Sequence, residues 1–187
     1  MSADTGSLWP FMGGRAEPTH TAGTVDWAEV ERVAPGFAAA VRSRFEATKH
    51  HVLATLRSDG APRVSGTEVI LGHGVIAIGC MWHSMKALDL LRDGRFALHS
   101  NPGDGSMEAG DAKLVGVAAP LSGSLALSIA AMLSEEQDAG DRAEAPEPFH
   151  LFRLDLAQVV LSEVDHERNC MVIRSWWPDR GLEVAER

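Results

Sequence analysis

The 187-residue sequence contains no tyrosine and only two cysteines, and both shortages restrict the chemistry available to the protein. Without tyrosine, one common general acid is missing from any catalytic site. Cys80 and Cys170 are too few for a disulfide framework, and both lie in apolar runs. We therefore interpret them as small buried side chains of a protein in a reducing compartment.

Apolar runs of membrane-spanning length are also missing, and the N-terminus lacks the pattern of a signal peptide. These absences predict a cytoplasmic location and no membrane partner. Basic residues are scarce too: 17 lysines and arginines stand against 26 aspartates and glutamates, for a formal net charge of −9. Because nucleic-acid binding begins with an electropositive surface, we expect no nucleic-acid partner.

Several catalytic signatures are absent as well. The sequence has no G-x-S-x-G, H-E-x-x-H or P-loop motif, which argues against nucleophilic hydrolases, zinc proteases and nucleotide hydrolases. Cys80-x-x-His83 together with His99 suggests a metal site. The second paired motif of a structural zinc site is missing, however, so we predict no metal.

What is present predicts one domain of the α+β class. Residues 1–24 are rich in Gly, Ser, Thr and Pro and predict a flexible arm, whereas residues 25–187 suit a single domain. Three small helices are predicted, at 26–47 with an interruption at Pro35-Gly36, at 84–92 and at 124–133. Six or seven strands are predicted, over 51–57, 62–71, 75–82, 96–100, 113–120, 149–164 and 170–177. Short turns join the first three strands, so we expect an antiparallel meander within a β-barrel.

The stretch 63–95 carries the most informative polar residues. Arg63, Ser65 and Thr67 alternate along a predicted strand and therefore share one face. Ser84 stands where the 84–92 helix begins, and the free backbone N–H groups at a helix start attract anions. These two clusters predict an anion site. Ordinary surface charge is the alternative for the arginine, and a plain N-cap is the alternative for Ser84.

Two segments of this region, ATLRSDGAPRVSGTEV (54–69) and GCMWHSMKALDLLRDGRFALHS (79–100), together resemble the pyridoxamine 5′-phosphate oxidase-like family of FMN-binding split β-barrels. GDAKLVGVA (110–118) and VIRSWWPDRG (172–181) add to the resemblance. It implies a split β-barrel with small flanking helices, and a homodimer whose cofactor sites lie between the subunits. It also implies a small-molecule substrate.

The resemblance assigns cofactor contacts residue by residue. It implies that Arg63 and Lys86 bind the FMN phosphate and that Trp176 or its neighbour reaches toward the partner subunit's flavin, although core packing is the alternative for Trp176. Further contacts to the ribityl chain and the ring are implied for Val64, Ser65, Gly79, Cys80, His83, Ser84 and Met85. His83 has a second interpretation, as a half-buried histidine satisfied by the backbone.

Three positions depart from the oxidase itself. Met85 stands where the oxidase carries an arginine, and Gly79 and Cys80 replace polar or aromatic residues. These departures argue against true pyridoxamine phosphate oxidase activity and leave three cofactors open: FMN, a deazaflavin coenzyme and heme.

Three functions remain open. The first is a flavin-dependent oxidoreductase that needs no catalytic acid or base from the protein, because the cofactor carries the chemistry. The second is a non-enzymatic flavin- or heme-binding protein in storage, sensing or stress protection. The third is a structural dimer without a cofactor.

Overall fold

The computed structural model describes residues 23–102, 107, 109–137 and 149–187. Residues 1–22 of the predicted N-terminal arm and residues 138–148 therefore lie outside the described residues. In the described part of the chain, the helices are α1 (Trp27–Val33), α2 (Pro35–Glu46), α3 (Met85–Arg92) and α4 (Gly123–Gln137). The strands are β1 (His51–Leu56), β2 (Pro62–Thr67), β3 (Ile70–Gly72), β4 (Val75–Met81), β5 (Arg95–His99), β6 (Asp111–Pro120), β7 (Phe149–Asp165), β8 (Cys170–Trp177) and β9 (Gly181–Glu186).

The first residues of α1 and α2 favour the start of a helix. The Asp26 side chain accepts a hydrogen bond from the backbone N–H of Glu29 at 2.9 Å and so caps the start of α1. Pro35 opens α2, where its missing N–H costs nothing. Phe37, Val41 and Phe45 are buried along one side of α2.

All nine strands of the described residues belong to one antiparallel sheet. Its order is β2-β1-β5-β6-β7-β4-β3, with β8 added beside β7 and β9 beside β8. β7 is the longest strand at 17 residues. Its first residues pair with β4, and its residues from Val159 onward pair with β8. The α+β prediction is confirmed.

The barrel is open between β2 and β4. The strand predicted over 62–71 is interrupted at Glu68 and Val69, so that β2 pairs with β1 whereas β3 pairs with β4. β2 and β4 approach each other, but no ladder of backbone hydrogen bonds joins them within the described ranges. The predicted three-strand meander is therefore wrong at this point, and the opening is the split of the barrel.

The turn after β8 passes through Gly181, with φ of +73°, and leads into β9. In α3, Leu88 and Leu91 do not share the buried face with Ala87. Their exposed fractions are 39% and 47%, whereas Ala87 and Leu90 are buried against the sheet. Positions three apart lie on one helix face, and the sheet meets the face of Ala87 and Leu90.

Candidate functional site

A cleft of about 480 Å³ lies at the split of the barrel. Gly66 and Thr67 of β2 line one side, Gly79 and Met81 of β4 line the other, and Lys86 of α3 lies at one end. The rest of the lining is partly apolar, from Phe45, Val69, Ile70 and Leu71, and partly titratable, from Glu46, His50 and Glu68. The volume falls in the range of cofactor and small-molecule sites, which are usually apolar with a few placed polar groups.

Gly79 leaves open space in the cleft. A Cβ atom added at this position would have no neighbouring atom within 4 Å. Cys80 follows on the opposite face of β4 and is only 2% exposed, in the core. Burial raises the pKa of the Cys80 thiol to about 11. The Cys80 side chain therefore does not reach the cleft, and only its backbone remains available for the implied cofactor contact.

Lys86 brings a positive charge to the cleft. Its Nζ donates a hydrogen bond of 2.8 Å to the backbone carbonyl oxygen of Gly66. A carbonyl does not neutralise an ammonium group, and within the described part of the chain Lys86 forms no ion pair with a carboxylate. Its charge is therefore available to an anion.

Ser84 lies at the start of the same helix with an unsatisfied hydroxyl. It is the N-cap residue of α3, but its side chain makes no capping hydrogen bond. The Oγ atom is buried and has no hydrogen-bond partner. A buried hydroxyl without a partner costs free energy, so this position favours a ligand that supplies an acceptor or donor. Ser84 therefore occupies the N-cap position of α3, but its side chain does not make the hydrogen bond that the N-cap interpretation predicted.

Arg63 is held by a buried carboxylate that the sequence analysis missed. Its Nε donates to Oδ2 of Asp89 at 2.6 Å, and Asp89 is only 1% exposed. Asp89 also accepts hydrogen bonds from Thr55 Oγ1 at 2.9 Å and from Arg92 Nη2 at 3.2 Å. Burial by itself would raise the pKa of Asp89, but these bonds outweigh burial and lower it. Arg63 is therefore not an ordinary surface charge.

The side chains of β2 alternate between its two faces as predicted. Arg63 and Ser65 are half-buried on one face, and Thr67 is buried on the same face. Val64 lies on the other face and is 70% exposed. Met85, in the first turn of α3, is 55% exposed. Within this chain, Val64 and Met85 therefore face solvent rather than the cleft lining.

Two histidines and a tryptophan stack on one another at the end of β4. The Trp82 ring lies 4.3 Å from the His150 ring at an interplanar angle of 9°, and 4.7 Å from the His83 ring. His83 has a φ of +55°, which is uncommon for a residue other than glycine. His150 Nε2 is buried without a hydrogen-bond partner. Burial lowers the pKa of His150, and the nearby His83 lowers it further.

Comparison with known proteins agrees with this geometry at the level of the fold. No family model and no curated protein sequence matches the chain. Solved structures do match. A pyridoxamine 5′-phosphate oxidase-related, FMN-binding protein from Nostoc punctiforme superimposes with a TM-score of 0.59 and 16% identity, over 82% of this chain and 96% of that chain. The chain has the fold of the pyridoxamine 5′-phosphate oxidase-like split barrels.

Other split barrels of this fold differ in what they bind. PhzG from Burkholderia lata, solved in complex with tetrahydrophenazine-1-carboxylic acid, matches with a TM-score of 0.57 and 14% identity, over 85% of this chain and 91% of that chain. A heme-binding protein from Mycobacterium smegmatis matches with a TM-score of 0.53 and 16% identity, over 79% and 87%. The fold is therefore shared by proteins with different ligands, and the ligand must be argued from the residues of the cleft.

In this split barrel the two tryptophans of β8 have separate surroundings. Trp176 is 2% exposed and belongs to the hydrophobic core. It is too deeply buried to reach a partner subunit, so the expected contact between Trp176 and a flavin is not supported, and core packing explains the residue. Trp177 is half-buried, with the Arg180 guanidinium 3.7 Å from its ring centroid.

The residues of the discounted metal motif have other surroundings in the split barrel. Cys80 is in the core, and His99 lies beside Asp111, with 3.5 Å between His99 Nε2 and Asp111 Oδ2. The described ranges contain no cluster of His, Cys, Asp and Glu suited to a metal ion. Among the same residues, no helix has the length and hydropathy needed to cross a membrane.

Proposed function

We propose that this split barrel binds FMN in the cleft between β2 and β4 and transfers a hydride to or from a small organic substrate. The observation that carries the proposal is the combination at the start of α3. There, a buried hydroxyl without a partner on Ser84 lies two residues from Lys86, whose ammonium group forms no ion pair within the described residues. A phosphate group satisfies both, because it accepts hydrogen bonds and carries negative charge.

The remaining parts of the cleft suit the rest of the cofactor. Free N–H groups in the first turn of α3 add donors to the phosphate site. The space above Gly79 accepts a flat ring against the backbone of β4, and the apolar residues of the lining offer surface for the ring to pack on. Met85 supplies no second cation at this helix start, so we expect weaker phosphate binding than an arginine there would give.

FMN supplies the hydride chemistry when it is bound, and the chain contributes binding, orientation and exclusion of water. Glu46, His50 and Glu68 also line the cleft, but hydride transfer by the cofactor itself requires no acid or base from the chain. The proposal therefore assigns no catalytic acid or base.

We further propose a cytoplasmic homodimer in which the second subunit closes the cleft. Met85, Leu88 and Leu91 recur at intervals of three along α3 and are 55%, 39% and 47% exposed. Apolar residues aligned on an exposed helix face are typical of an interface. This face begins at the same helix start as the proposed phosphate site, which is consistent with a cofactor bound between subunits.

A heme-binding or storage role is the second candidate, and one observation favours it. The His83 and His150 rings lie 6.2 Å apart at the end of β4, and within the described residues His150 Nε2 has no hydrogen-bond partner. Imidazole is a common ligand of heme iron. A deazaflavin coenzyme is a further alternative to FMN, since it also presents a flat ring and a phosphate.

Equilibrium titration tests the proposal. The purified protein, freed of any cofactor, is titrated with FMN, with a deazaflavin coenzyme and with hemin, and binding is followed by flavin fluorescence or by absorbance. We expect saturable binding of one FMN per chain, and the FMN-loaded protein should oxidise a reduced nicotinamide. Hemin binding without FMN binding would favour the second candidate, and FMN binding without nicotinamide oxidation would favour a flavin carrier.

A further inference from the structure

We infer that Asp89 is a positioning residue that holds Arg63 for the phosphate of the cofactor. This inference rests on the proposed FMN site and deepens it. Arg63 belongs to β2 and Asp89 to α3, 26 positions apart in the sequence. Their contact joins the two elements that form the proposed phosphate site.

The contact with Asp89 occupies only the Nε atom of Arg63. Asp89 Oδ2 accepts from the Nε atom of Arg63. Within the described part of the chain, the two terminal Nη groups have no partner, and the side chain is 21% exposed. An arginine pairs with a phosphate through a fork of two N–H groups. A guanidinium anchored at Nε therefore retains donors for a phosphate while its own movement is restricted.

Asp89 is itself fixed from several sides. Thr55 of β1 donates to the same oxygen that receives Arg63, and Arg92 donates to the other oxygen. Arg92 also donates to the backbone carbonyl of Leu56 on β1. The carboxylate therefore attaches α3, which has Ser84 and Lys86 at its start, to β1 and to β2, the strand that carries Arg63. Restricting the donors before binding reduces the entropy that is lost on binding.

FMN and riboflavin differ only in the phosphate. A variant that disturbs the phosphate site should therefore lose affinity for FMN alone, whereas a variant that disturbs the fold should lose affinity for both flavins. In Asp89→Asn the shape is kept but the charge that holds Arg63 is lost. We expect FMN affinity to fall by about tenfold or more, the effect of losing one charge-assisted hydrogen bond, while riboflavin affinity stays unchanged. Asp93→Asn is the matched control, because Asp93 follows the same helix and pairs with Arg95. It should retain the wild-type preference for FMN over riboflavin.

A double-mutant cycle tests the route through Arg63. In an Arg63→Met background, Asp89→Asn should produce no further loss of FMN preference. Thr55→Val serves as a second variant if thermal melting shows that Asp89→Asn does not fold, and it should reduce the FMN preference in the same direction by less.

The outcomes distinguish the inference from the function on which it rests. If the wild-type protein binds neither flavin, the proposed function fails. If the wild-type protein prefers FMN and a folded Asp89→Asn variant keeps the same preference, the positioning role is overturned while FMN binding stands. A stronger FMN preference in the variant would also overturn it, because Asp89 would then compete with the phosphate for Arg63.

Discussion

The Lys86 ammonium group donates a hydrogen bond of 2.8 Å to the backbone carbonyl oxygen of Gly66. This contact joins the first turn of α3 to β2, on one side of the opening between β2 and β4. Because the acceptor is neutral, the contact positions the lysine without consuming its charge. A cation is thereby fixed at the edge of a cleft in a chain whose formal net charge is −9.

Replacing Lys86 by Met should weaken FMN binding while preserving most of the hydrophobic stem. The loss of a charged hydrogen bond costs about 1.5–3 kcal/mol, and this predicts a dissociation constant roughly 10 to 150 times larger. Flavin fluorescence titration measures it. Arg95→Met is a suitable control, since it removes a positive charge near the other end of α3, where Arg95 pairs with Asp93. Equal affinity in the wild-type and Lys86→Met proteins would remove Lys86 from the phosphate site.

Replacing Gly79 by Val should block the cleft without unfolding the protein. A Cβ at this position meets no atom within 4 Å, and valine is favoured in strands. We therefore expect an unchanged or slightly higher melting temperature together with a large loss of FMN affinity, compared by thermal melting and titration. Gly116→Ala is the contrasting variant: its Cβ would lie 1.9 Å from the carbonyl oxygen of Asp155, so it should lower the melting temperature. A Gly79→Val protein that binds FMN normally would place the ring elsewhere.

The exposed apolar face of α3 should be the dimer interface. Leu88→Glu places a charge on that face, where burial against a partner would be costly. Sedimentation velocity should show a dimer for the wild-type protein and a monomer for the variant. Leu127→Glu provides the control, because Leu127 is also an exposed leucine, at 57%, but belongs to α4. A dimer that persists in Leu88→Glu, or a wild-type monomer, would contradict the proposed interface.

The buried thiol of Cys80 should resist alkylation in the folded protein. Its pKa is raised from 9.0 to about 11 by burial, and the thiolate is the reactive form. Iodoacetamide at pH 8 should label Cys170, which is half-buried, well before Cys80, as peptide mass spectrometry would show. Rapid labelling of Cys80 under conditions where the fold is intact would contradict its burial.

The same shift predicts the pH dependence of stability. A group whose pKa is higher in the folded state contributes stability that is complete below about pH 9 and is lost as the pH rises toward about 11. The melting temperature of the wild-type protein should therefore fall more over this interval than that of Cys80→Ala. Parallel curves for the two proteins would show that Cys80 ionises equally in the folded and unfolded states.

Features set by local sequence were predictable. The capping of α1 by Asp26 and the helix start at Ser84 follow from side chains within a few positions of the backbone they affect. The alternation of Arg63, Ser65 and Thr67 follows from the strand period. These signals were sufficient to locate the candidate site, and the resemblance to split barrels was sufficient to predict the fold.

Features set by distant contacts were not predictable. Nothing in residues 62–71 marks the interruption at Glu68, because a break in a strand depends on which neighbours the two halves pair with. Asp89 lies among leucines with no local sign that it faces Arg63. Trp176 and Trp177 look equivalent in sequence, and only the packing of β8 on β7 decides that Trp176 enters the core.

Competitive capture of the cofactor tests the central claim most directly. The purified protein is incubated with equimolar FMN, deazaflavin coenzyme and hemin, passed through gel filtration and denatured, and the released chromophore is identified by its visible spectrum and its mass. FMN at one molecule per chain, greatly reduced in Lys86→Met, is the predicted result. Release of hemin alone, or of no chromophore, would contradict an FMN site at the split of the barrel.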